Sequence, residues 1–299
     1  MEFLRTPDDA FANLPDYDFA PHFHILDESG MRMHYVDEGP STGKVALLLH
    51  GEPSWSFLYR KMIPPLAKAG FRVIAPDLVG FGKSDKPTAQ EDYTYQTHVD
   101  WLKSFLNGLE LSEINLFCQD WGGLLGLRIA GEEPHLFAKI AAGNTFLPTG
   151  DQKPGDAFFE WREFSQKVKR LPVARVVGGG CFKKPSQEVL AGYNAPFPDE
   201  TFKAGARIFP SLVPISPDDP AAEPNRKAWK TLQDFRKPFL CTFSDSDPVT
   251  RGGDVIFRRK IPGAKGQNHV TIKEAGHFLQ EDKGEELAGH LVKFFSSPD

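Results

Sequence analysis

Long apolar runs are missing from this 299-residue sequence; no stretch approaches the roughly 18 apolar residues that a membrane-crossing helix needs. The N-terminus, Met1-Glu2-Phe3-Leu4-Arg5-Thr6-Pro7-Asp8-Asp9, carries acidic residues where a secretion signal needs an apolar core. The 3 cysteines, Cys118, Cys181 and Cys241, are too few and too scattered for a disulfide framework or a metal cluster. Cys118 and Cys241 sit in apolar, strand-like runs and are expected as reduced core residues. Basic charge is not in excess either: 35 Lys and Arg stand against 40 Asp and Glu, and the net charge of -5 offers no attraction to nucleic acid or an anionic membrane. The one basic run, Arg258-Arg259-Lys260, reads as the solvated end of a helix. What remains is a globular, cytoplasmic chain, expected to be monomeric. Its composition of 40% hydrophobic and 25% charged residues suits one large domain or a domain with an insertion.

Apolar runs recur at 45–49, 71–75, 114–117, 138–142, 239–243 and 270–272, mostly separated by helix-length stretches. Alternation of this kind predicts a parallel α/β sheet, and near-continuous apolar strands predict helices on both faces. Residues 23–26 and 31–36, joined through Gly30, predict an antiparallel hairpin at the sheet edge. Between 150 and 225 the pattern changes. Phe158, Phe159, Phe164 and Val168 recur at helical spacing, Gly178-Gly179-Gly180 interrupts, and Pro210, Pro214, Pro217, Pro220 and Pro224 follow. Proline lacks the N–H that an inner strand must donate, so this segment is expected not to extend the sheet. It reads as a helical cap, 150–225, inserted after the sixth strand into a main domain of 1–149 and 226–299.

Three loops should converge where strands end at their carboxyl edge, the place where open α/β sheets bind ligands. They are His50-Gly51-Glu52-Pro53, the turn from Asp77 to Asp85 with Gly80 and Gly82, and Gln119-Asp120-Trp121-Gly122-Gly123. In the last, Gly122 and Gly123 permit the sharp strand-to-helix turn that lifts a nucleophile clear of the sheet. The residue at its tip is an aspartate. A carboxylate with an ordinary pKa of about 3.9 is already ionised at neutral pH and attacks carbon without a base to deprotonate it.

With Asp245-Ser246-Asp247-Pro248 and Ala275-Gly276-His277-Phe278 added, the motifs in this order resemble those of the haloalkane dehalogenases over essentially the whole chain. The resemblance implies an α/β-hydrolase fold and hydrolysis of carbon–halogen bonds. Its reactants would be a small halogenated alkane and water, its products an alcohol, a halide ion and a proton, with no cofactor or metal. Asp120 would be the nucleophile, His277 the general base and Asp247 the acid orienting it, with Asp245 as competitor. Backbone N–H groups of Glu52 and Trp121 would form the oxyanion hole. Many members carry Asn after His-Gly and an acid after the sixth strand; here Glu52 and Asn144 stand there. An ionised Glu52 could not donate to a halide. Both departures resemble the subgroup acting on short haloalkanes, in which two tryptophans bind the halide, here Trp121 and, within the cap, Trp161.

Other readings compete. Epoxide hydrolases share the aspartate nucleophile but typically use two cap tyrosines, and only Tyr193 follows the nucleophile here. Fluoroacetate dehalogenases hold the substrate carboxylate with arginines beside the nucleophile, where this chain has Trp121-Gly122. A binding protein on a hydrolase scaffold would have lost turnover. Asp120 could also be a helix cap, Trp161 a packing aromatic and His277 a structural histidine. His50 is expected to shape its loop, the remaining histidines to be solvated or structural, and Asp77 and Asp85 to hold a turn.

Overall fold

Apolar runs covered on both faces make the centre of the molecule, as a computed structural model describing residues 1–298 shows. An 8-stranded sheet is built from β1 (His22–Ile25), β2 (Arg32–Glu38), β3 (Val45–Leu49), β4 (Arg72–Pro76), β5 (Ile114–Gln119), β6 (Phe137–Gly143), β7 (Phe239–Ser244) and β8 (Val270–Ile272). Their spatial order is β8-β7-β6-β5-β3-β4-β2-β1. β2 alone runs opposite to the other seven strands, pairing His34 with Phe23 on one side and Val36 with Ala75 on the other. The hairpin therefore closes one edge, and its turn uses Gly30 at φ 76°. Every residue of β5 is buried, as expected of a strand with helices on both faces. Each fully buried Leu or Phe in such a layer contributes about 1.5–3 kcal/mol of transfer free energy.

From β3 the chain steps to β4 on one side and then crosses to β5 on the other. That reversal opens a crevice above the carboxyl ends of β3 and β5, where the loops after both strands meet.

Residues 150–225 hold the helices Asp156–Lys167, Val173–Gly180, Gln187–Asn194 and Ala204–Ile208, with no strand. Gly178, Gly179 and Gly180 end one of these helices. The expected return at 226 falls inside the helix Ala222–Leu232, which packs along Trp121–Glu132; Arg128 Nη1 donates to Asn225 Oδ1 at 3.1 Å across the two. No helix among the described residues is long and apolar enough to cross a membrane.

Candidate active site

The turn after β5 is strained at one residue. Asp120 has φ 49° and ψ -127°, a conformation costing a non-glycine residue about 1–3 kcal/mol. Its neighbours hold it there. Asp120 N–H donates to Asn144 O at 3.0 Å, and its carbonyl accepts from Thr145 Oγ1 at 2.7 Å and from Gly123 N–H at 2.9 Å. Positions 122 and 123 must be glycine, because a Cβ on Gly122 would strike the Leu49 carbonyl and one on Gly123 the Thr145 side chain. The tight turn leaves the carboxylate in the crevice, clear of the sheet, with the helix Trp121–Glu132 starting behind it.

The two oxygens of Asp120 meet different partners. Oδ1 accepts the Glu52 backbone N–H at 2.8 Å, and Oδ2 lies 3.4 Å from His277 Nε2. His277 in turn places Nδ1 3.0 Å from Asp247 Oδ2. Asp247 is buried and also accepts from Val249 N–H at 2.9 Å, Thr250 N–H at 3.2 Å and the Thr250 hydroxyl. Burial alone would raise the Asp247 pKa, but His277 and these donors bring it down to about 2. For His277, burial lowers the pKa, yet Asp247 and Asp120 on opposite sides of the ring outweigh burial and raise it to about 10. The two flanking carboxylates thus favour the protonated ring in the free protein. Asp245, the competing acid, instead accepts from Ser246 Oγ at 2.9 Å.

Asp120, Glu52, Trp121, Trp161 and His277 all line one cavity of about 1090 Å³ under the 150–225 helices. Trp121 is buried, with its ring 4.4 Å from Phe209. The indole N–H groups of Trp55 and Trp229 donate to the carbonyls of Gly192 and Leu147, at 3.1 and 2.7 Å. No carbonyl engages those of Trp121 and Trp161 among the described residues; both rings line the cavity, where the Trp161 N–H meets the Glu52 carboxyl. Trp161 donates to the Glu52 carboxyl, of which Oε1 is buried without a hydrogen-bond partner. Burial and the adjacent Asp120 carboxylate push the Glu52 pKa well above the usual range. Its environment favours the neutral acid, which carries an O–H donor.

Other expectations resolve one by one. His50 shapes its loop, with Nδ1 2.9 Å from Gly51 O and Nε2 accepting the Leu78 N–H at 2.9 Å. Asp77 binds His34 Nδ1 at 2.8 Å and the N–H groups of Ser56 and Lys83, while Asp85 pairs with Arg5 and Arg32. His34 and His98 are buried rather than solvated; burial drives the His98 pKa down to about 3. Tyr193 is buried and donates to Glu281 Oε2 at 2.6 Å, away from the cavity wall. Among the described residues, no cluster of His, Cys, Asp and Glu could hold a metal ion.

Two polar supports escaped the sequence reading. Asn144, noted there only for lacking a carboxylate, donates Nδ2 to Ser244 Oγ at 2.8 Å, Gly276 O at 2.9 Å and His277 O at 3.1 Å. It thereby ties the histidine loop to β7. The Gln119 amide lies 3.1 Å from His277 Nε2 and 3.2 Å from His277 O. Their positions at the ends of β6 and β5, the edge where active sites form, were the available signal.

Comparison with known proteins agrees with this architecture. Residues 45–284 match the alpha/beta hydrolase fold family. A haloalkane dehalogenase from Psychrobacter cryohalolentis is 59% identical over 98% of both chains, and one from Mycolicibacterium paratuberculosis is 51% identical over 98% of both. The tetrameric structure of a haloalkane dehalogenase from Paraglaciecola agarilytica superposes with a TM-score of 0.92 at 34% identity, covering 100% of both chains. With fold and nearly full-length sequence in agreement, this chain belongs to the haloalkane dehalogenases of the α/β-hydrolase superfamily.

Proposed function

We propose that the chain hydrolyses the carbon–halogen bond of short haloalkanes in two stages, through an ester on Asp120. In the first, Asp120 Oδ2 attacks the carbon in line with the halogen. The new C–O bond forms as the carbon–halogen bond breaks, and the halide leaves toward the indole N–H groups of Trp121 and Trp161. Donors aimed at charge that develops in the transition state accelerate the step rather than merely tightening binding.

The second stage requires His277 as a base, yet in the free protein its pKa is raised to about 10. Alkylation resolves the conflict. An ester carries no charge, so one of the two carboxylates supporting the imidazolium disappears when the first stage is complete. The ring then gives up its proton to solvent more readily, and once neutral it takes one from water attacking the ester carbonyl. Asp247 keeps Nδ1–H in place and stabilises the imidazolium as it re-forms. Oδ1, already 2.8 Å from the Glu52 N–H, carries the oxyanion, with the Trp121 N–H as second donor. Breakdown of the tetrahedral intermediate releases the alcohol and restores Asp120.

The observation that carries this reading is the Asp120–His277–Asp247 line in a cavity whose wall includes the indoles of Trp121 and Trp161, neither tied to a backbone carbonyl. Against epoxide hydrolysis stands Tyr193, whose hydroxyl is committed to Glu281. Bromide release from 1,2-dibromoethane and chloride release from 1-chlorobutane, beside styrene oxide hydrolysis, test it. Halide without diol is expected; diol without halide reverses it.

We further infer that the working unit is a monomer, since every group named comes from one chain. Light scattering should give about one chain mass of 33.3 kDa; a tetramer like that of the P. agarilytica relative overturns this. Residence in the cytoplasm accords with three free cysteines.

A further inference from the structure

The cavity holding the reacting groups is larger than a two-carbon haloalkane needs. At about 1090 Å³ it matches pockets for drug-sized ligands, which run to about 300–1,000 Å³. Its inner wall is apolar, with Leu124, Leu147, Phe158 and Ile256. Its solvent-exposed lining is cationic: Lys153, Lys230, Arg251 and Lys260 are exposed and Arg226 half-buried, with the exposed Asp151 among them. The remaining lining carboxylates, Glu52 and Asp120, lie at the floor.

Arg226 is neutralised by Asp151 at 2.7 Å and Glu223 at 3.4 Å. The others have no carboxylate partner among the described residues. Lys153 and Lys260 rest on the Phe159 and Trp229 rings, at 5.6 and 5.5 Å from the centroids. Lys260, expected in the sequence as part of a solvated helix end, therefore faces the cavity mouth. Like charges gathered at one rim repel one another, in a chain whose net charge is -5. A neutral haloalkane gains nothing from them. An anion entering beside low-dielectric walls does, because the field is focused there.

An apolar barrel with a halide site at the bottom and cations at the top is complementary to a molecule built the same way. We infer that the substrates of this protein include haloalkanes bearing a carboxylate at the end remote from the halogen, held by the rim cations while the methylene chain lies along the apolar wall. This rests on the proposed Asp120 chemistry and adds its substrate class. The reaction balances as before: a bromoalkanoate and water give the hydroxyalkanoate, bromide and a proton.

The test is bromide release from 6-bromohexanoate and from neutral 6-bromohexan-1-ol, for the native chain and for the double substitution Lys230→Glu, Lys260→Glu. In low salt the ratio of kcat/KM, acid over alcohol, should be about five- to tenfold in the native chain. About 0.5 M salt should abolish the preference, because the Debye length is then well under 10 Å. In the double variant the ratio should fall below one. A native ratio near one overturns the inference, and so does a preference that survives both salt and the double substitution. Bromide from neither compound refutes the Asp120 chemistry, and the substrate class falls with it; bromide from the alcohol alone refutes only the substrate class.

Discussion

His277 Nε2 stands 3.4 Å from Asp120 Oδ2, so the group assigned as base and the group assigned as nucleophile form an ion pair before any substrate arrives. Together with Asp247 this pair raises the His277 pKa to about 10. Asp120→Asn, which removes the charge as an ester would, should lower the His277 pKa by roughly one to three units. Titration of the ring by NMR reads this directly; an unchanged value would mean that Asp247 alone sets the ring's basicity.

The same shifts fix how stability depends on pH. His277 is raised from 6.5 to about 10 on folding, so its contribution is complete below pH 6.5 and is lost as pH climbs toward 10. Asp247 is lowered from 3.8 to about 2, so its contribution is complete above pH 3.8 and is lost as pH falls toward 2. That contribution is on the order of 2 kcal/mol. Denaturation midpoints should therefore decline on both flanks. His277→Gln should flatten the flank between 6.5 and 10; a slope unchanged there would contradict the assignment.

Glu52 is buried beside Asp120, in surroundings that favour its neutral form. Glu52→Gln imitates that form and should leave kcat/KM for 1,2-dibromoethane within about threefold, under 1 kcal/mol. Steady-state bromide release decides it: a loss of a hundredfold would mean that the carboxylate charge is needed.

Trp161 lines the cavity, and its indole N–H meets no backbone carbonyl, only the Glu52 carboxyl. Trp161→Phe keeps the ring and removes the donor. A drop in kcat of about 10²–10³ is expected, the cost of deleting one transition-state donor, together with loss of halide-induced fluorescence quenching. If both survive, the second halide donor is another group.

Much of the architecture was legible because apolar strands separated by helix-length stretches leave few alternatives. The runs at 114–117 and 239–243 became β5 and β7 with their ends shifted by a residue or two. Gly122 and Gly123 could be read because close approach to Leu49 O and Thr145 excludes any side chain. The protonation of Glu52 could not, since it depends on burial and on an Asp120 that is 68 residues away in sequence. Asn144 and Gln119 were missed for the same reason: an amide side chain declares no role until its partners, here the carbonyls of Gly276 and His277, are brought to it. The cationic rim draws on residues 153, 226, 230, 251 and 260, which only the fold assembles.

The most direct measurement is mass spectrometry of His277→Gln incubated with 1,2-dibromoethane. Without the base, the first stage proceeds and the second stalls. The peptide containing Asp120 should therefore gain one bromoethyl group per chain, with one equivalent of bromide released. An unmodified Asp120 after prolonged incubation, or the group on any other residue, would contradict the account.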